Sequence, residues 1–252
     1  MIELEIKAFL GNKESKDEGK EKTACCGSYE MVINKKELIE KLKELGFAFD
    51  YACDEADCYY QAPDRDFRKT DEALRIRTCG GSGESRALVT YKGPKQDSES
   101  HTRKEIETEI PDAAAATELF KSLGYKPVLT VSKHREVYTL TDKAACAEYA
   151  KKDVSNSRRG TLDGEISVCL DDVAGLGFAV EIEKLIDDSR FGNAAGRGNR
   201  AQDETLAPKS DLEKEKAAAR EELLSLLDKL GIPRSALTMK TYLEMLLEKS
   251  KR

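Results

Sequence analysis

The sequence predicts a mainly β, α+β chain whose antiparallel strands form a sheet large enough to close into a barrel, with helices flanking it. Three observations predict this. About eight segments read as strands bounded by Gly, Pro, Asn and Asp turns. Only two helical patterns interrupt them before the C-terminal quarter. In strand after strand, charged residues occupy one parity and apolar residues the other, which assigns them to opposite faces.

The first strand runs from about Met1 to Leu10 and opens MIELEIK, with Glu3, Glu5 and Lys7 in single file and Leu4 and Ile6 opposite. The stretch near 11–30 is charged and Gly-containing and reads as an exposed insertion. NKKELIEKLKELG predicts a helix with Asn34 as N-cap, Leu38, Leu42 and Leu45 on one face and Gly46 as its stop. Phe47 to Tyr60 returns to β character, APDRDF reads as a turn, and TDEALRIRT and ALVTYK are strands, the second ended by Gly93-Pro94. HTRKEIETEI is a strand closed by Pro111, and a short helix follows from Asp112 to Leu123, stopped by Gly124.

KPVLTVSKHREVYTL is a long strand, residues 141–161 read as a polar insertion, and GEISVCLDDV and FAVEIEKLI are two strands joined by a turn at Gly175 and Gly177. The expected organisation is a tunnel domain over 1–186, a mobile linker or insertion over 187–210, and C-terminal helices over 211–252. Leu223, Leu224, Leu227 and Leu230 are available to dock those helices on the barrel.

Composition narrows the function classes. No stretch approaches the ~20 apolar residues of a membrane span, and acidic residues beginning at Glu3 do not resemble a signal peptide. The expected compartment is the cytoplasm, with no membrane partner. Seven irregularly spaced cysteines make no disulfide framework, and two histidines, His101 and His134, leave little for a zinc site. Metal chemistry would run on carboxylates, which suit a hard ion such as Mg²⁺ or Mn²⁺. A net charge of −6 argues against a general nucleic-acid coat while leaving room for a local basic pocket.

The charged files carry the functional signal. Besides Glu3, Glu5 and Lys7 they comprise Arg75 and Arg77; Arg103, Glu105, Glu107 and Glu109; Lys133 and Arg135; Glu165 and Asp171; and Glu181 and Glu183. A single file of this kind is normally a solvated sheet face. Alternation alone leaves two topologies open, with the charges outside around an apolar barrel or inside beneath an apolar jacket. The files are almost purely Arg, Lys, Glu and Asp, and this favours the inside. Arginine forks match phosphate oxygens, and nearby carboxylates match the divalent ion that accompanies them.

Glu3-Leu4-Glu5-Ile6-Lys7 resembles the ExExK signature of the CYTH superfamily, the triphosphate tunnel metalloenzymes. CYYQAPDRDFRKTDEALRIR, LVTYKGPK, TRKEIETE and LDDVAGLGFAVEIE follow in that superfamily's order and are most similar to its class IV adenylate cyclase type. The resemblance implies an eight-stranded closed antiparallel tunnel, a triphosphate substrate such as ATP, a divalent metal and a homodimer. It implies that Glu3, Glu5, Asp171, Glu181 and Glu183 hold the metal. Lys7, Arg75, Arg77, Lys92, Arg103, Lys133 and Arg135 would bind the triphosphate. Lys7, Lys92, Glu105 and Glu107 would take part in catalysis, the two glutamates by supporting metals or orienting the basic groups.

Two departures stand out. His101 occupies a place where similar sequences commonly carry a lysine, and Phe178 sits one position early after the last glycine turn, which would alter packing beside the metal. Three rivals to the cyclase reading remain: an inorganic or organic triphosphatase, a non-catalytic triphosphate or polyphosphate module, and a salt-bridged structural barrel. The RDF and TDEALRIR stretch and the absence of tryptophan both tilt the choice away from a thiamine-type triphosphatase.

Overall fold

The computed structural model describes residues 2–11, 34–80, 86–95, 100–140, 165–188, 191 and 209–251. The predicted insertions near 11–30 and 141–161 lie almost wholly outside the described residues, as does most of 187–210. Eight strands form a closed barrel: β1 (Ile2–Gly11), β2 (Phe47–Gln61), β3 (Ala73–Gly80), β4 (Arg86–Lys95), β5 (Arg103–Ile110), β6 (Lys126–Leu140), β7 (Ile166–Val173) and β8 (Gly177–Ile186). Their order around the wall is β1-β5-β4-β3-β2-β6-β7-β8, and every pairing is antiparallel.

The apolar core lies outside this wall. Ile6, Val168, Val180 and Ile182, the apolar parities of β1, β7 and β8, are at most 3% exposed. They pack against Leu38 and Leu42 of α1 (Lys35–Glu44) and Leu223 and Leu227 of α4 (Lys209–Lys229). Those leucines stand one helical turn apart, so each pair meets the sheet as a stripe. Burying each contributes roughly 1.5–3 kcal/mol. A second apolar cluster joins Tyr60, Leu74 and Ile76 to Phe67 of α2 (Phe67–Thr70), with Phe120 of α3 (Ala113–Ser122) packed against it.

Helix boundaries follow local chemistry. Asn34 accepts a hydrogen bond from the Lys36 amide, and Asp112 accepts from Ala114 and Ala115, which satisfies first-turn N–H groups. Gly46 closes α1 at φ +89°, a left-handed conformation that other residues adopt at a cost. APDRDF, expected as a turn, carries the N-cap of α2, because the Asp66 carboxylate accepts from the Arg68 amide. β4 runs through Gly93-Pro94 to Lys95 by way of a register shift between Lys92 and Lys95. Phe191, in the segment expected to be mobile, is buried in the core.

The C-terminal segment completes the wall. β1 and β5 pair only at Ile2↔Lys104 and Glu3↔Arg103 among the described residues. Further along, the His101 amide donates to Glu5 O at 2.9 Å, the Thr238 amide donates to Lys7 O at 2.9 Å, and Ala8 bridges Leu237. An edge that would otherwise present unpaired N–H and C=O groups is thereby occupied. The same segment leads to α5 (Tyr242–Lys249), whose Thr241 and Glu244 form a reciprocal capping box. Among the described residues no helix is long and apolar enough to cross a membrane.

Candidate active site

With the apolar parities turned outward, the charged parities line the interior, which resolves the choice that alternation left open. The open-ended cavity measures about 1380 Å³, and Glu3, Lys7, Arg75, Lys92, Lys133 and Glu183 all contribute to its wall. Register sets who faces whom. Lys7 stands opposite Glu181, Glu5 opposite Glu183, Lys92 opposite Glu105, and Arg135 opposite Asp171.

The five predicted metal ligands separate into two groups. Ligand oxygens of Glu3, Glu5 and Glu183 all lie within 4.8 Å of one another. Asp171 instead accepts from Arg135 Nε at 2.7 Å and Nη2 at 2.6 Å, and from the Tyr242 hydroxyl at 2.9 Å. Glu181 ion-pairs with Lys7 at 2.9 Å and contacts Arg135. These two acids therefore neutralise cations on β1 and β6.

Two of the trio Glu3, Glu5 and Glu183 have raised pKa values, by burial first and by crowded like charge second. Burial, reinforced by Glu181 and Glu5 against the opposing pull of Arg135, pushes Glu183 up to about 7. Glu3 is likewise raised well above the carboxylate range, by burial and by its neighbours Glu105, Glu183 and Glu5. Burial also presses Glu5 upward, but Lys7, His101 and Lys92 outweigh it and hold Glu5 below its ordinary value. Glu5 Oε1 is buried and accepts no well-directed hydrogen bond, although Lys7 Nζ lies 3.1 Å away. Converging, repelling oxygens with one buried acceptor to spare fit a divalent cation of hard character.

The predicted cations come together on the remaining wall. Asp57 binds Arg77 at 2.6 and 2.8 Å and Arg75 at 3.1 Å. Glu55 lies 3.1 Å from both Arg77 and Lys133. Arg75 Nε is buried with no hydrogen-bond acceptor among the described residues, a donor left unsatisfied in this arrangement. Lys92 pairs with Glu105, and Glu107 accepts from Thr90 Oγ1 at 2.8 Å. Arg103 donates to the Gly93 carbonyl at 3.3 Å and lies 3.9 Å from Asp71.

Sequence reasoning missed Glu55, Asp57 and Tyr242. The two acids had a readable signal, since DEADCYY places Glu55 and Asp57 on one parity with Ala56 and Cys58 on the other. Tyr242 had none: α5 brings its ring to 4.5 Å from Lys7 Nζ and 5.4 Å from Lys133 Nζ through tertiary packing alone.

Both departures resolve into structural roles. His101 Nε2 meets the Thr238 carbonyl at 3.0 Å, and a carbonyl only accepts, so this nitrogen carries the proton. Burial lowers the His101 pKa, and its ring ties the C-terminal segment to the wall. Phe178 packs in the outer core rather than beside the carboxylate trio.

Comparison with known proteins agrees with this architecture. The CYTH domain profile matches residues 31–242. A protein of Methanocaldococcus jannaschii, named provisionally as an adenylate cyclase, is 36% identical over 214 residues, 85% of this chain and 93% of its own length. Adenylate cyclase CyaB of Aeromonas hydrophila is 36% identical over 84 residues, covering 33% of this chain and 40% of its own. A solved structure from Pyrococcus horikoshii OT3 superposes with a TM-score of 0.64 at 32% identity, covering 98% of this chain and 99% of that one. A barrel of shared topology, an interior lined by the expected files, and a profile match spanning most of the sequence lead to one conclusion: the chain belongs to the CYTH domain family.

Proposed function

We propose that this protein is a metal-dependent triphosphate-processing enzyme that converts ATP to cyclic AMP and pyrophosphate, in the manner of the class IV adenylate cyclases. The observation that carries the reading is the placement of the Glu3, Glu5 and Glu183 oxygens in the same cavity as the Arg75, Arg77, Lys92, Lys133 and Arg135 cations. A triphosphate and its divalent ion need both. The names of the relatives support the cyclase choice within that class.

In this reading the glutamate trio holds Mg²⁺ or Mn²⁺, with Asp171 and Glu181 outside the coordinating set. When bound there, the ion would supply charge neutralisation at the phosphates and acidity to a coordinated hydroxyl. Arg75, Arg77, Lys92, Arg103, Lys133 and Arg135 bind the phosphate chain and offset charge on the departing pyrophosphate. One close charge pair at an effective dielectric near 20 is worth about 4 kcal/mol at 4 Å, so the file is strong enough to orient a flexible polyanion. Lys7, held between Glu5 and Glu181, keeps the two acids ionised beside the phosphate file. Glu105 orients Lys92. The 3′-oxygen forms its bond to the α-phosphorus as the bridging oxygen leaves with pyrophosphate, and the 3′ proton passes to solvent.

Incubating the purified protein with ATP and, separately, tripolyphosphate in the presence of Mg²⁺ or Mn²⁺ tests this. Cyclic AMP with stoichiometric pyrophosphate supports the cyclase. Orthophosphate from tripolyphosphate without cyclic AMP reassigns the chain to the triphosphatases, which use the same phosphate-binding parts. Tight binding without turnover of either identifies a non-catalytic module.

A further inference from the structure

We propose that Asp57 is a positioning residue that presets the phosphate-binding geometry of Arg75 and Arg77; the proposal rests on the triphosphate reading above. The two arginines occupy alternate positions on β3, so both side chains enter the tunnel from one strand and repel each other. Asp57, directly opposite Arg77 on β2 and only 2% exposed, lies between them. Its Oδ1 accepts from Arg77 Nε at 2.6 Å, while Oδ2 accepts both Arg77 Nη2 at 2.8 Å and Arg75 Nη1 at 3.1 Å.

One carboxylate therefore fixes two forks. Its bonds occupy a single Nη of Arg75 and leave that residue's buried Nε unsatisfied. Glu55 repeats the device one step along β2, between Arg77 and Lys133. Holding the donors in place before a phosphate arrives removes an ordering cost from the reacting complex. The same negative charge opposes an incoming polyanion, so Asp57 trades binding strength for orientation. That trade gives the proposal a signature which loss of structure would not produce.

In Asp57→Asn the site gains one unit of positive charge while the bidentate clamp on Arg77 is lost. Tripolyphosphate, measured by calorimetry without metal, is expected to bind as tightly as to the wild type or more tightly. Turnover of the preferred triphosphate is expected to fall about 100-fold, as for a displaced reacting group. Circular dichroism and thermal unfolding check that the variant folds. Parallel weakening of binding and turnover in the folded variant, or no change in either, overturns the proposal.

Should Asp57→Asn fail to fold, Asp57→Glu decides. It keeps the charge but moves it by one methylene, so binding should stay within about threefold while turnover drops. Normal turnover in folded Asp57→Glu overturns the assignment. A wild-type protein that neither binds nor processes any triphosphate would instead sink the functional reading itself, which separates the two failures.

Discussion

Arg135 grips Asp171 with two parallel hydrogen bonds, Nε to Oδ1 at 2.7 Å and Nη2 to Oδ2 at 2.6 Å, and Tyr242 adds a third to Oδ2 at 2.9 Å. Asp171 is wholly buried, and its oxygens are turned to these donors. Removing one partner of a buried pair costs about 3–5 kcal/mol when nothing else compensates the remaining charge; Glu181 still contacts Arg135, which places the loss toward the lower end. Asp171→Asn should therefore lower the unfolding midpoint in denaturant strongly. Mn²⁺ affinity of the fraction that remains folded should change little, and loss of Mn²⁺ binding with unchanged stability would return Asp171 to the metal set.

Glu5→Gln should behave in the opposite way. The amide keeps the size of the side chain but removes the charge and a coordinating oxygen, so metal-dependent turnover is expected to fall by about 100-fold or more. The thermal transition should stay near that of the wild type. A fully active Glu5→Gln protein would contradict the assignment of the trio.

The raised carboxylates set the pH dependence of metal binding. Glu183 is pushed up to about 7, so below that pH it is protonated in the metal-free protein and must lose its proton when the ion binds. Affinity for Mg²⁺ should rise with pH through about 7 as Glu183 loses its proton, and go on rising for as long as Glu3, also raised, still holds one. Calorimetry at pH 6 in two buffers of different ionisation enthalpy should register proton release that vanishes near pH 8.5 as far as Glu183 contributes. Glu183→Gln should weaken binding and flatten this dependence, and a wild-type affinity independent of pH between 5.5 and 8 would count against the proposal.

Leu227 tests the outer jacket. It is completely buried between α4 and the barrel, and Leu227→Ala should cost about 2–5 kcal/mol through lost transfer energy and the cavity left behind. Denaturant unfolding reads this directly. Because Leu227 touches the outside of the wall, tripolyphosphate affinity of the folded variant should remain within about threefold.

Much of the architecture was legible in the chain. The β6 segment from Lys126 to Leu140 is the predicted one, and Asn34 and Asp112 mark the helix starts that their short side-chain acceptors announce. Arg75, Arg77, Lys133 and Arg135 could be placed on one face because a strand repeats every two residues. The α2 turn of helix was less legible, since four residues leave no periodicity to read. Asp57 was overlooked even though its parity was readable. Tyr242 was not readable at all, because nothing in the spacing of a short C-terminal helix says which cavity it enters.

By itself the sequence determined that charges and apolar groups occupy opposite faces of nearly every strand, and that those charges are of the kinds that hold phosphate and metal. Alternation is symmetric, however, and cannot say which face is inside. The tertiary structure decided that, by laying α1 and α4 against the apolar face of β1, β7 and β8 and so turning Glu3, Glu5 and Lys7 inward. It also decided which acids are grouped: β1, the first strand, pairs along nine positions with β8, the last, and that pairing brings Glu183 to Glu3 and Glu5 across more than half the chain.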